Sequence, residues 1–122
     1  MEILYEADLK ERPLADVLAE HRARPDPPSP FTVALVDGVA AHGAELDDLL
    51  RDRAHGWSLE RMPYVDRNVL RLGLHELLHV DEVPAKVAID EAVELVKELS
   101  TDSSPRFVNG VLAAEARDRG LL

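Results

Sequence analysis

The sequence predicts an all-α helical bundle, and three features of the chain carry that prediction. Apolar residues recur at spacings of three and four in every long segment. Prolines and Ser-Pro pairs sit where helices would begin. Aromatic residues are only 4% of the chain, so the core has to be built from Leu, Val and Ala, a mixture that suits helices better than sheets. No segment alternates with period two over a useful length. At 122 residues, 46% of them apolar and 31% charged, one domain over residues 1–122 with a single core is expected.

The first helix runs from Met1 to about Glu11. It reads as already under way at Met1, with no N-capping residue ahead of it, so the expectation is that it starts upstream. Pro13 opens a second, short amphipathic piece carrying Leu14, Val17, Leu18 and His21. Four prolines between Arg24 and Pro30 then make a stiff linker. Ser29-Pro30 is a cap followed by a first-turn proline. The third helix is expected from Pro30 to about Arg53, with Leu35, Val39, Leu46, Leu49 and Leu50 on one face. Gly56-Trp57-Ser58 breaks it, with Ser58 capping a short turn through Met62. Pro63 opens the fourth helix, which runs to about His79. Val65, Val69, Leu70, Leu72, Leu74, Leu77 and Leu78 cover most of its circumference, so it should be central. Val83-Pro84 leads into the fifth helix, about Ala85 to Leu99, burying Ile89, Ala92, Val93, Val96 and Leu99. After a polar loop, Ser104-Pro105 repeats the cap-then-proline pattern. The sixth helix carries Phe107, Val108, Val111 and Leu112 into an Arg-rich tail.

Composition excludes several functions. With no cysteine there are no disulfides and no thiolate metal sites, which suits a reducing, cytoplasmic setting. No apolar run is long enough to cross a bilayer, and nothing at the start resembles an export signal. The net charge of −10 favours a basic partner over nucleic acid.

One motif has the form of a catalytic centre. His75-Glu76-Leu77-Leu78-His79 is a literal H-E-x-x-H on a helix. Histidines at i and i+4 can chelate zinc, and the Glu between can act as general base, as in a zinc-dependent hydrolase. The extended motif needs Gly at 82 and His at 85, where this chain has Glu82 and Ala85. Glu91 or Glu94 remains as a third ligand. Glu76 also falls beside Val65 and Val69 on the helical wheel, which suits a structural role. A second stripe on the same helix holds Tyr64, Arg67, Asn68, Arg71, His75 and His79. It suits a phosphate backbone or an acidic protein, or else its arginines pair with nearby carboxylates. Asp90, Glu94 and Glu98 repeat at i+4 on the fifth helix, as a solvated face or a landing surface for a basic partner.

Longer strings add a family resemblance. The run from Val65 to Leu78, with Asp66-Arg67-Asn68-Val69-Leu70-Arg71 at its heart, resembles the central helix of the NusB family of transcription antitermination factors. Pro84-Ala85-Lys86-Val87-Ala88-Ile89-Asp90-Glu91-Ala92-Val93-Glu94-Leu95 and Phe107-Val108-Asn109-Gly110-Val111-Leu112 resemble its last two helices. Leu4-Tyr5-Glu6-Ala7-Asp8 matches the end of its first. The resemblance implies an all-α fold of two packed three-helix bundles and an adaptor rather than an enzyme. It needs no cofactor or catalytic residue, and it makes the H-E-x-x-H match a coincidence. The implied partners are the ribosomal protein NusE, the boxA element of nascent ribosomal RNA and the RNA polymerase antitermination complex, with homodimers known in the family. By matching position, RNA contacts fall on Tyr5, Lys86, Arg106 and Phe107, with Arg71 near the same surface. The NusE contact falls on Asp66 and Arg67 and on the loop at Asp102 and Ser103. The family's Arg-rich start precedes the first-helix Leu-Tyr and does not appear ahead of Leu4 here. A NusB-like appendage of an rRNA cytosine methyltransferase is a third reading, disfavoured because no Gly-rich strand-to-helix loop is present.

Overall fold

The computed structural model describes residues 1–53 and 58–122. Seven α-helices are present among them: α1 Glu2–Leu9, α2 Leu14–Arg22, α3 Pro30–Ala41, α4 Gly43–Arg53, α5 Tyr64–His79, α6 Ala85–Leu99 and α7 Ser104–Asp118. A 3-10 turn at Leu59–Arg61 precedes α5, and no β-strand occurs among the described residues. The break expected at Gly56-Trp57 lies outside the described residues.

Local chemistry explains most of the boundaries. Ser29 caps α3 by accepting the Thr32 backbone N–H at its hydroxyl, 3.2 Å away, and Pro30 fills the first turn. Pro13, Pro63 and Pro84 each stand immediately before a helix. Two residues past the end of α1, Glu11 takes a left-handed φ of 52°. The Arg12 N–H then reaches back to the Ala7 carbonyl at 2.9 Å, satisfying an orphan carbonyl of the last turn. Gly120, at φ 70°, closes α7 in the same way, through the Leu121 N–H on Ala116 at 2.8 Å.

Two expectations about boundaries are corrected. The helix expected from Pro30 to Arg53 is two helices that meet at His42, whose backbone (φ −107°, ψ 15°) leaves the helical range. The hydrogen-bond ladder runs through the corner: the His42 N–H donates to Gly38, and the His42 carbonyl accepts from Leu46. At the other end, Ser104 is not the cap of α7. It is the first helical residue, buried, and its hydroxyl turns inward to Asp66.

Helices α1–α3 form one three-helix group around Ile3, Ala7, Val17, Leu18 and Val36. Helices α5–α7 form the second, around Val69, Leu70, Leu74, Val96, Val108 and Leu112. Helix α4 adds Leu46 and Leu50 to the second core, and α5 packs against α1, α3, α4, α6 and α7. The hydrophobic driving force is therefore concentrated on α5, as its wide apolar arc requires. Two core expectations fail: Val93 is only half-buried, and Leu99, the last residue of α6, is 53% exposed. No helix among the described residues is long and apolar enough to cross a membrane.

Candidate nucleic-acid interface

The polar stripe of α5 is wired into the protein. Arg67 grips Asp8 of α1 through Nε and Nη2, both at 2.5 Å. Asn68 donates to the same carboxylate at 2.9 Å. Arg71 forks onto Asp47 of α4 at 2.8 and 3.2 Å and reaches Asp8 at 3.3 Å. Three helices are joined by charge-assisted bonds across about sixty residues of chain. Burial pushes the Asp8 carboxyl up, but hydrogen bonds from Arg67 and Asn68 and the charges of Arg67 and Arg71 outweigh it and hold it below the ordinary range. The positive charge expected for a partner at Arg67 and Arg71 is thus compensated by aspartates of the same chain.

At the rim of this network stands an aromatic pair. The Tyr5 ring meets the Tyr64 ring edge to face at 6.1 Å, and the Arg67 guanidinium lies 4.5 Å from the Tyr64 centroid. Tyr5 is 38% and Tyr64 37% exposed, and behind them opens a cleft of about 390 Å³ floored by Asp8, Asn68 and Arg71. An exposed tyrosine beside a fixed guanidinium offers a stacking platform for a base.

The same end of α5 meets the start of α7. Asp66 is buried and accepts hydrogen bonds from Ser100 at 2.5 Å and Ser104 at 2.8 Å. Its carboxylate fastens the α6–α7 connection, whereas Asp102 and Ser103 on that connection are exposed. Beside them a cleft of about 430 Å³ is lined by Met62, Pro63, Asp66, Ser103, Ser104 and Phe107. The structure therefore gathers Asp66, Ser103 and Phe107 at one cleft. Arg106 is exposed on the first turn of α7, at the same end of the molecule. Lys86 is not brought there. It is exposed on the first turn of α6, and the 15 residues of that helix separate its two ends by about 20 Å.

The H-E-x-x-H reading does not survive the structure. His75 is buried, with its ring packed on Gly38 so closely that a Cβ there would lie 2.1 Å from it. Burial and the neighbouring His79 and His42 lower its pKa. Glu76 is buried within reach of the charge of Glu91 on α6: burial first, and then that charge, raise its carboxyl to about 6. Among the described residues, the group able to surround a cation is His42, Glu45 and His79, which lacks both His75 and Glu76.

Family comparison decides the identity. The NusB family model matches residues 1–117.

The chain belongs to the NusB family.

Two proteins described as transcription antitermination protein NusB illustrate the depth of the relationship. That of Salinispora arenicola is 50% identical over 116 residues, covering 92% of this chain and 85% of the relative. That of Saccharopolyspora erythraea is 57% identical over 115 residues, covering 92% and 78%. Among solved structures, T. maritima NusB superposes with a TM-score of 0.85 at 32% identity, covering 96% of this chain and 84% of that one. A NusB structure with NusE and double-stranded RNA matches with a TM-score of 0.76 at 29% identity, covering 95% and 89%. The all-α, two-bundle NusB fold expected from sequence is the fold observed.

Asp8 and Asp47, which hold the NusB-like stripe together, were not singled out by sequence reasoning. A signal existed for Asp8: it lies four residues after buried Leu4 and one after buried Ala7, so it faces the interior and needs a cationic partner there. Nothing comparable marks Asp47. Nor did sequence spacing bring His42 and Glu45 to His79, because they approach from a different helix.

Proposed function

We propose that this chain is a non-catalytic transcription antitermination factor of the cytoplasm. Residues 1–122 act as one NusB-like unit that pairs with the ribosomal protein NusE and binds boxA-type RNA within the RNA polymerase antitermination complex. The observation that carries this reading is whole-chain similarity to NusB proteins, joined to the likeness with a NusB–NusE–RNA complex. The charge supports the same division of labour. A body of net charge −10 suits a basic ribosomal protein, and RNA then needs local features that work against that background.

Those local features are proposed to be Tyr5 for base stacking, with Arg106, Phe107 and Lys86 contacting the transcript. Asp102 and Ser103, exposed beside the cleft at Phe107, are proposed to meet NusE, with Asp66 setting the shape of their loop. Arg67 and Arg71 are proposed to orient the Tyr5–Tyr64 pair, because their charges are spent on Asp8 and Asp47. Lys86 sits about a helix length from Arg106, so RNA touching both follows a path along the bundle.

A boxA RNA titration with and without NusE tests the proposal. Binding should be tighter with NusE and should fall steeply with salt. Tyr5→Ala should weaken it about 5- to 100-fold through lost stacking, and Arg106→Glu by a similar factor, with the helical spectrum intact. Affinity indifferent to NusE would sink the adaptor reading. Wild-type affinity in both variants would sink the residue assignment.

A further inference from the structure

The corner between α3 and α4 presents a cluster that the RNA-and-protein reading leaves unused. His42 is the corner residue, Glu45 lies in the first turn of α4, and His79 is the last residue of α5. The His42 and His79 rings are nearly parallel, 8° apart in tilt, with centroids 3.8 Å apart. Glu45 reaches both rings: one carboxylate oxygen is 3.3 Å from His79 Nε2, and the other is 3.8 Å from His42 Nδ1. One ligand atom from each of the three residues fits within a 4.8 Å sphere of mutual distances. His75 closes the inner side, its ring centroid 5.9 Å from His42 and 5.5 Å from His79. Its buried Nδ1 has no hydrogen-bond partner.

We propose that His42, Glu45 and His79 form a binding site for one zinc-class divalent cation, which ties the α3–α4 corner to the C-terminal end of α5. Two imidazole nitrogens and a carboxylate oxygen are a donor set that such ions prefer. Bonds of about 2.0–2.1 Å at a tetrahedral centre place neighbouring ligand atoms about 3.3–3.4 Å apart. The His79–Glu45 approach already has that length; the His42 approach, 3.8 Å, is to the other carboxylate oxygen, and the two parallel rings turn about their Cβ–Cγ bonds to bring both nitrogens onto one ion. A divalent cation would bind through the neutral form of both rings. The site is open to solvent, which supplies the remaining coordination. The role is structural: Glu76, the general base of the H-E-x-x-H reading, is not among the residues of the group.

The test uses the untagged full chain, freed of metal with a chelator, and no RNA, so its outcome is independent of the adaptor reading. Zn²⁺ is titrated by calorimetry in the wild type and in His42→Ala, His79→Ala, Glu45→Gln and Glu94→Gln, with circular dichroism checking the fold of each. The expected result is one equivalent bound with a Kd below about 100 µM. His42→Ala and His79→Ala should each weaken it tenfold or more, and Glu94→Gln, on the acidic face of α6, should leave it unchanged. Zinc at a hundredfold excess over the wild-type Kd should raise the wild-type Tm by roughly 5 °C or more and that of His79→Ala by no more than about half as much. A Kd weaker than that limit overturns the proposal. So does equal binding in the histidine variants, or a loss in Glu94→Gln as large as theirs.

Discussion

Glu76 shows how one side chain can oppose the fold that contains it. It sits on the inner side of α5, 9% exposed, facing α6 where Glu91 adds a second negative charge. Burial and then that charge raise its carboxyl from 4.5 to about 6. A carboxyl whose folded pKa exceeds its unfolded pKa favours folding in its protonated form. Its penalty is therefore absent below about pH 4.5, grows as pH rises toward 6, and is complete above that. Glu76→Gln keeps the shape and removes the charge. The variant should be more stable than wild type at pH 7.5 by about 1–2 kcal/mol, and the two should converge at pH 4.5. Urea unfolding at both pH values measures this, and a difference that does not change with pH would show that the environment of Glu76 does not disfavour its charge. His75, its neighbour in sequence, is constrained in another way: its ring occupies the space that a side chain on residue 38 would need, so Gly38 is the residue that lets α3 approach α5.

At the scale of the elements, the α6–α7 connection rests on a carboxylate from a third helix. Asp66 takes hydrogen bonds from Ser100, the C-cap of α6, and from Ser104, the first residue of α7. Asp66→Ala removes both acceptors and leaves the buried Ser104 hydroxyl with the Ser100 and Thr101 hydroxyls as its partners, which should cost about 1–3 kcal/mol. Hydrogen exchange should locate the loosening in the first turn of α7, and a loss spread evenly over the molecule would argue against a local clamp. This is also where reading the sequence reached its limit. The helices themselves were legible because apolar spacing and proline placement are local: Ser29-Pro30, Pro63 and Pro84 mark starts that the structure keeps. The corner at His42 was hidden because Val39, Leu46 and Leu50 continue the apolar face on both sides of it. Ser104-Pro105 looks locally identical to Ser29-Pro30, and only Asp66, 38 residues away, turns its hydroxyl inward. For the site, Tyr5 and Phe107 were reached through family strings. The pairing of Arg67 with Asp8 depends on α1 lying across α5, which no spacing along the chain encodes.

For the molecule as a whole, the decisive balance is between a large negative charge and a few deeply embedded positive ones. Self-repulsion at net −10 opposes compaction, so arginines that gather carboxylates from separate helices do more for the fold than exposed pairs such as Arg12–Glu20. Asp8, Arg67, Asn68, Arg71 and Asp47 join α1, α4 and α5, and so connect the two helix groups. At the far end, Arg53 of α4 pairs with buried Glu115 and with Asp118 of α7. Removing the Asp8 charge leaves two half-buried guanidiniums with less than their complement of acceptors. Asp8→Asn should cost about 2–4 kcal/mol at pH 7. Because the folded Asp8 carboxyl is held below its ordinary 3.8, its contribution is complete well above that value and is lost as pH falls through the folded pKa. The gap between wild type and Asp8→Asn should thus be full at pH 6–7 and narrow toward pH 3, the reverse of the Glu76 profile. Denaturant unfolding across that range distinguishes the two. A gap that stays constant on acidification would mean that Asp8 acts through packing, and that the two helix groups are held together by their apolar contact alone.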